Sequence, residues 1–375
     1  MELNIMEQQL KQDALFLPFM QIPTGHHHVA DALMEDLMSY MDTVRCNKID
    51  ILSYSYGKME TVVSSTYLRW IKNLPNAYHW IYDQMAYKKA DKRNRNYLYE
   101  LLFINFFKRL LKEHEPRILF CTHALPSNIA SVLKQKGKLQ ATIVNVYTDY
   151  FVNRVWGIEG VDYHFVPSVE VKKFLQKLGV DEKRIYVTGI PVHREFNNTT
   201  QMKEKNPNEL QVLVTGGSLG VGGLEKILSE PSEAMHYYVL CGKNTSLYKQ
   251  LKATNRMDVT PIPYIERKQE MNAYYNQVDA VITKPGGVTI SECLIKRKPI
   301  FVCNALPGQE KINEQQLKRL GVVQPVTCES AKDEIKAFFS DVDKQKGYHR
   351  TVDHYHQQLE NRSMVEILEE IFPFA

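Results

Sequence analysis

Short apolar, β-branched runs recur along this chain with room for one helix between successive runs, and that rhythm constrains the fold more than any other feature. A first series comprises ALFLPFM (14–20), IDILSY (49–54), RILFCT (117–122), ATIVNVYTD (141–149), YHFVPS (163–168) and RIYVTGIP (184–191). A second comprises QVLVTGG (211–217), HYYVLCG (236–242), DVTPIP (258–263), AVITKPGG (280–287), PIFVCNA (299–305) and VVQPVT (322–327). Runs that are apolar throughout need cover on both faces, and helical stretches such as VEVKKFLQKLG (169–179) supply it. This is the pattern of an α/β chain with parallel sheets. Between the series lies HREFNNTTQMKEKNPNEL (193–210), polar and Asn-rich, which marks an interdomain linker. The expectation is two doubly wound, Rossmann-like domains facing a cleft, residues 1–196 and 197–375, the last helix able to pack back on the first domain. In open parallel sheets, ligands sit beyond the carboxyl ends of the strands. The residues just after each run are therefore the candidates.

A length of 375 residues is too great for one hydrophobic core, and 44% hydrophobic with 24% charged residues excludes a disordered or fibrous chain. No stretch approaches ~18 uncharged apolar residues, so no membrane-spanning helix is expected. The start, MELNIMEQQLKQD, lacks the basic-then-apolar order of a secretory signal. Six cysteines without a C-x-x-C pair are expected to be reduced thiols of a cytoplasmic protein. The net charge of +4 is modest, but residues 67–117 concentrate 11 basic and 11 aromatic residues against 5 acidic ones.

The sharpest local signal is VITKPGGVTISECLIKRKPIFVCNALPGQEKIN (281–313). A strand ends in Lys284-Pro285-Gly286-Gly287, and Thr289 is placed to cap the helix that follows. Two glycines at a strand-to-helix turn let a phosphate approach the backbone, and the helix N-terminus favours its charge. Glu292, in the first turns of that helix, can accept both hydroxyls of a ribose. The next strand leads to Gln309 and Glu310, followed by Asn313; an amide beside a carboxylate both donates and accepts, which suits a polyhydroxylated ligand. The Gly-rich VTGGSLGVGGL (214–224), with Gly216, Gly217 and Ser218, fits a backbone cradle for a diphosphate at a helix start. It is neither a Walker loop nor a G-x-G-x-x-G.

Near the N-terminus, Val29, Ala30, Leu33, Met34 and Leu37 follow Gly25 at helical spacing. His26, His27 and His28 thus open a helix, and consecutive rings diverge too far to share one metal. His26 suits a general base; His27 and His28 are expected to point elsewhere and to be dispensable. Asp-Val-Asp (341–343) follows no strand and is expected to be a solvated turn, so no metal site is expected.

The 281–313 segment resembles the donor-binding signature of processive diacylglycerol β-glucosyltransferases and plant monogalactosyldiacylglycerol synthases, of glycosyltransferase family 28. Further matches in family order are Thr148-Asp149, W-x-x-E-x-V-D-x-x-x-V (Trp156 to Val166), TGIPV (188–192), CGKNTSL (241–247) and YIER (264–267). The resemblance implies a GT-B fold that uses a UDP-sugar and no essential metal or other cofactor. It implies that Glu292 binds the ribose, Gly286, Gly287 and Thr289 the diphosphate, Gln309 and Glu310 the sugar hydroxyls, and the Ile265 backbone uracil. His26 aligns with the His that ends the family's Gly-x-Gly-His turn, which here reads Pro23-Thr24-Gly25-His26. The implied reaction moves a hexose, glucose before galactose, onto diacylglycerol, with His26 or secondarily Asp149 as base. The rival readings are transfer to another lipid-linked acceptor and UDP-sugar binding without transfer. The basic, aromatic 67–117 segment fits a peripheral attachment to the anionic inner face of the cell membrane. No motif supports nucleic-acid binding.

Overall fold

A computed structural model describes residues 13–19, 25–41, 44–56, 97–197, 209–217, 220 and 222–371, with the backbone alone for 56 and 97–101. Ala14–Leu17 (β1), Cys46–Lys48 (β2), Ile118–Cys121 (β3), Thr142–Val146 (β4), Tyr163–Val166 (β5) and Ile185–Val187 (β6) form one sheet in the order β2-β1-β3-β4-β5-β6. Leu210–Thr215 (β7), Met235–Leu240 (β8), Val259–Ile262 (β9), Ala280–Thr283 (β10), Ile300–Val302 (β11) and Gln324–Pro325 (β12) form the other, in the order β12-β11-β10-β7-β8-β9. Every strand pair is parallel. The two expected doubly wound domains are both present.

All four residues of β1 are fully buried, because helices cover both faces of the sheet. Phe16 lies opposite Phe120 in the β1–β3 register, and their rings stack at 4.6 Å. Strand order reverses between β1 and β3 in the first sheet and between β7 and β10 in the second. At such a reversal the connections leave in opposite directions and open a crevice at the carboxyl ends. The segments carrying His26, His123, Gly216 and Lys284 follow those four strands. The chain then returns to the first domain: Glu360 N donates to Val187 O (2.8 Å), and Tyr355 Oη to Pro167 O (2.9 Å). The last described helix, Met364–Ile371, packs on helix Gly25–Tyr40.

Several local expectations differ from the structure. IDILSY is a helix from Ile51 to Tyr56 and not a strand. Asp50 Oδ1 accepts from the N–H groups of Leu52 (2.9 Å) and Ser53 (3.0 Å), which starts the helix and leaves β2 upstream of it. The expected linker remains packed as far as Asn197, since Phe196 is buried edge-on to Tyr275 at 5.6 Å. Asp341 is a helix cap, its Oδ1 accepting from Lys344 N at 2.9 Å. Pro261 and Pro325 are tolerated because β9 and β12 are edge strands.

Most of the basic, aromatic segment, residues 67–96, lies outside the described residues. Its end forms helix Tyr97–His114, which buries Phe103, Phe107 and Leu110 and exposes Lys108, Arg109 and Lys112. Among the described residues, no helix is long and apolar enough to cross a membrane.

Candidate active site

Helix Gly25–Tyr40 buries Val29, Ala30, Leu33 and Leu37 against the first sheet, and this stripe sets the rotation of its first turn. His26 Nδ1 then lies 2.8 Å from Thr122 O and 2.9 Å from Thr148 Oγ1, beyond the ends of β3 and β4. A carbonyl oxygen only accepts, so the hydrogen is on Nδ1 and the neutral ring carries its lone pair on Nε2. Burial lowers the pKa of His26, opposed chiefly by the Asp149 carboxylate. His123 stands edge-on at 4.7 Å between centroids, caps helix Ala124–Gln135 through Nδ1 and Leu125 N (3.1 Å), and is held well below the usual imidazole range by burial. The three adjacent histidines diverge as expected. His27 Nε2 meets Asp50 Oδ2 at 3.3 Å, and His28 Nδ1 meets Lys268 Nζ at 3.4 Å. Among the described residues, no group of three or more His, Cys, Asp or Glu could hold a metal ion. Pro23 and Thr24 of the altered turn lie outside the described residues.

Opposite His26, helix Gly287–Ile295 begins three residues earlier than a Thr289 cap would place it. Its cap is Gly286, which has no side chain to bond the first N–H groups, and Thr289 is its third residue and not its cap. The positive helix end is therefore available to an anion. A Cβ on Gly287 would come within 2.0 Å of Thr148 O, and one on Gly25 within 2.9 Å of Val288 Cγ2, whereas a Cβ on Gly286 would meet nothing within 4 Å. Gly287 is needed for contact between the domains, and Gly286 is the open glycine of the pair. Glu292 accepts from Tyr275 Oη at 2.8 Å; burial raises its carboxyl, opposed by that bond and by Lys268.

Gly216 and Gly217 follow β7 directly, Gly217 at φ +79° with open space around it, while Ser218 lies outside the described residues. The Gly-rich loop leads only into a 3-10 turn, Leu224–Leu228, so it adds no helix dipole. It leans instead on its neighbours. Asn304 Nδ2 donates to Gly222 O at 2.7 Å, and a Cβ on Gly222 would stand 2.8 Å from Lys284 Nζ. The charge of Lys284 also reaches Glu310, whose Oε2 accepts from Leu306 N at 2.7 Å and whose carboxyl burial raises. Ile265 is half-buried between β9 and helix Lys268–Gln277.

Asp149 joins the two sides. Its carboxylate accepts from Gln309 Nε2 and from Asn313 Nδ2 (2.7 Å), both on helix Gln309–Leu320 of the second domain. Tyr150 N donates to Asn313 Oδ1 (2.8 Å), and Tyr150 Oη pairs with Ser291 Oγ (2.9 Å). The Thr148–Tyr150 segment thus sits against two helix starts of the other domain.

Residues 26–192 match the family described as monogalactosyldiacylglycerol (MGDG) synthase, and residues 211–334 match the glycosyltransferase family 28 C-terminal domain. The uncharacterized glycosyltransferase YkoN of Bacillus subtilis is 42% identical over 96% of this chain and 97% of its own length. The chain belongs to glycosyltransferase family 28. The processive diacylglycerol beta-glucosyltransferase of Staphylococcus carnosus is 26% identical over 82% of this chain and 80% of its own. The calicheamicin glycosyltransferase CalG4 superposes with a TM-score of 0.61 at 12% identity, covering 97% of this chain and all of that one, which shows the GT-B fold.

In this family 28 chain, the fold brings His26 and Asp149 to one side of the cleft and Lys284, Gly286, Glu292, Gln309 and Glu310 to the other. Sequence reasoning assigned no role to His123, Thr148, Lys268, Tyr275 or Asn313. His123 and Thr148 do carry a legible signal, since His123 directly follows an apolar run and Thr148 lies at the end of one. Lys268 and Tyr275 lie on an ordinary polar helix, and only its docking brings Tyr275 onto Glu292 and the charge of Lys268 to bear on it.

Proposed function

We propose that the chain transfers a hexose, glucose in the first instance, from UDP onto diacylglycerol at a membrane surface. The observation that carries this reading is a neutral imidazole, fixed with its hydrogen on Nδ1, facing an uncapped helix N-terminus across the cleft. His26 Nε2 would take the acceptor hydroxyl's proton as its oxygen bonds the sugar's anomeric carbon, and the bond to UDP breaks. The open end of helix Gly287–Ile295 and Lys284 would stabilise the diphosphate that leaves, helped by backbone N–H groups at Gly216, Gly217 and Gly286. Glu292 would take the ribose, the Ile265 backbone uracil, and Gln309 and Glu310 the sugar hydroxyls. Names among the relatives support the lipid acceptor.

The decisive test is turnover of radiolabelled UDP-sugars with membrane lipid extracts. Glycosylated diacylglycerol from UDP-glucose is the expected product, and activity is expected to persist in excess EDTA. UDP binding without product from any lipid would replace this reading with that of a binding protein.

Glu292→Ala is expected to weaken UDP binding by ~1.5–3 kcal/mol, the worth of hydrogen bonds to a charged acceptor. Isothermal calorimetry checks this, and an unchanged affinity removes Glu292 from the donor site.

Membrane attachment is proposed to be electrostatic, each Lys or Arg near an anionic surface contributing ~1 kcal/mol. Anionic vesicles are expected to retain the protein and to release it as salt rises. Equal retention by neutral and anionic vesicles at every salt concentration is the contrary result.

A further inference from the structure

His28 is the member of the histidine triplet that reaches the other domain. Its Nδ1 lies 3.4 Å from Nζ of Lys268, the first residue of helix Lys268–Gln277 and just beyond Ile265. An ammonium only donates, so Nδ1 accepts and the ring hydrogen is on Nε2. Burial and then Lys268 hold the pKa of His28 down at about 4, which leaves it an acceptor at neutral pH and adds no second cation. The other charges that act on the ring are Asp31, His27 and Lys48, and Lys48 is paired with Asp31. Lys268 in turn acts on Glu292, lowering the carboxyl that burial raises. Nearby, Gly25 and Val288 bring the first turns of helices Gly25–Tyr40 and Gly287–Ile295 into close contact. One ammonium therefore bonds the helix that carries His26 and also acts electrostatically on the carboxylate assigned to the ribose.

We propose that His28 is a donor-positioning residue. Across the cleft it holds the Lys268 ammonium within electrostatic reach of Glu292, and so couples nucleoside diphosphate binding in the second domain to placement of the His26 helix in the first. This rests on the reading of the cleft as a UDP-sugar site. The coupling is reciprocal: a bound nucleoside diphosphate steadies the base-bearing helix, and the helix tightens the nucleotide. His26 and His28 thereby divide the work of one helix turn, one ring serving the acceptor and the other the donor.

The test uses the full chain as wild type, His28→Ala, His28→Gln, Lys268→Ala and the His28→Ala/Lys268→Ala double variant, with UDP as the calorimetric probe. His28→Ala is expected to raise the UDP Kd, and the KM for UDP-sugar, by ~5–20-fold, with kcat within about threefold of wild type. His28→Gln, whose side-chain carbonyl can accept from Lys268, is expected to recover most of the affinity. The double variant is expected to bind no more weakly than Lys268→Ala alone, as coupled partners do. Should His28→Ala unfold, His28→Gln and Lys268→Ala still report the tie. An unchanged UDP Kd in His28→Ala, a loss confined to kcat, or fully additive losses in the double variant overturns the proposal. Wild-type protein that fails to bind UDP overturns the donor reading itself and this proposal with it.

Discussion

Replacing His26 with Ala is expected to lower turnover by ~10²–10⁴-fold while leaving UDP affinity unchanged. The ring bonds Thr122 and Thr148, both in the first domain, whereas the groups assigned to UDP are in the second. His27→Ala is expected to stay near wild type, because His27 bonds Asp50 at the start of a short helix of its own domain. The pH profile provides an independent check. A base works as the neutral ring, and burial lowers the pKa of His26 from its ordinary value of 6.5. Activity should therefore hold through pH 6.5 and fall on the acid side of it, as protonation removes the Nε2 lone pair. Normal turnover in His26→Ala would place the base elsewhere, with Asp149 next in line.

The second large effect is expected from Asp149→Ala. Removing this carboxylate leaves the amides of Gln309 and Asn313 without their acceptor between the domains, at about 1–3 kcal/mol for each unsatisfied group. It also removes the charge that most opposes the effect of burial on His26. A fall in kcat/KM on the order of 10²–10³-fold follows, together with weaker UDP binding, since both amides belong to the donor domain. A catalytic base at this position would behave differently: kcat would fall with UDP affinity intact. Calorimetry beside steady-state kinetics separates the two roles. Burial raises the Asp149 carboxyl, so on acidification it protonates earlier than an exposed Asp, and the strut weakens on the same side of the profile as His26.

The architecture was legible because both sheets are parallel and covered on both faces, which forces uninterrupted apolar runs and one crossover helix between them. Errors fell where a single side chain competed with that pattern. Asp50 turned an apolar run into a helix by capping it, and Phe196 drew the start of a polar linker into the core beside Tyr275. The candidate site was legible in part for a related reason: in open parallel sheets ligands sit beyond strand ends, so His26, Asp149, Lys284, Gly286 and Glu292 could be read as candidates from their positions near the ends of apolar runs.

Sequence by itself thus determined two doubly wound domains, the strand-end residues available for chemistry and the family signature they compose. Tertiary structure decided which side chains face one another across the cleft. Nothing local to Gly287 shows that Thr148 O lies against it, and nothing local to Gln309 shows that its amide donates to Asp149 across the cleft. His28 looks redundant until Lys268 is found beside it. The physical reason is common to all three. A strand end or helix start is a local property encoded within a few residues, whereas a cross-domain partner depends on how two separately folded sheets dock, over separations of 139 to 240 residues for these pairs.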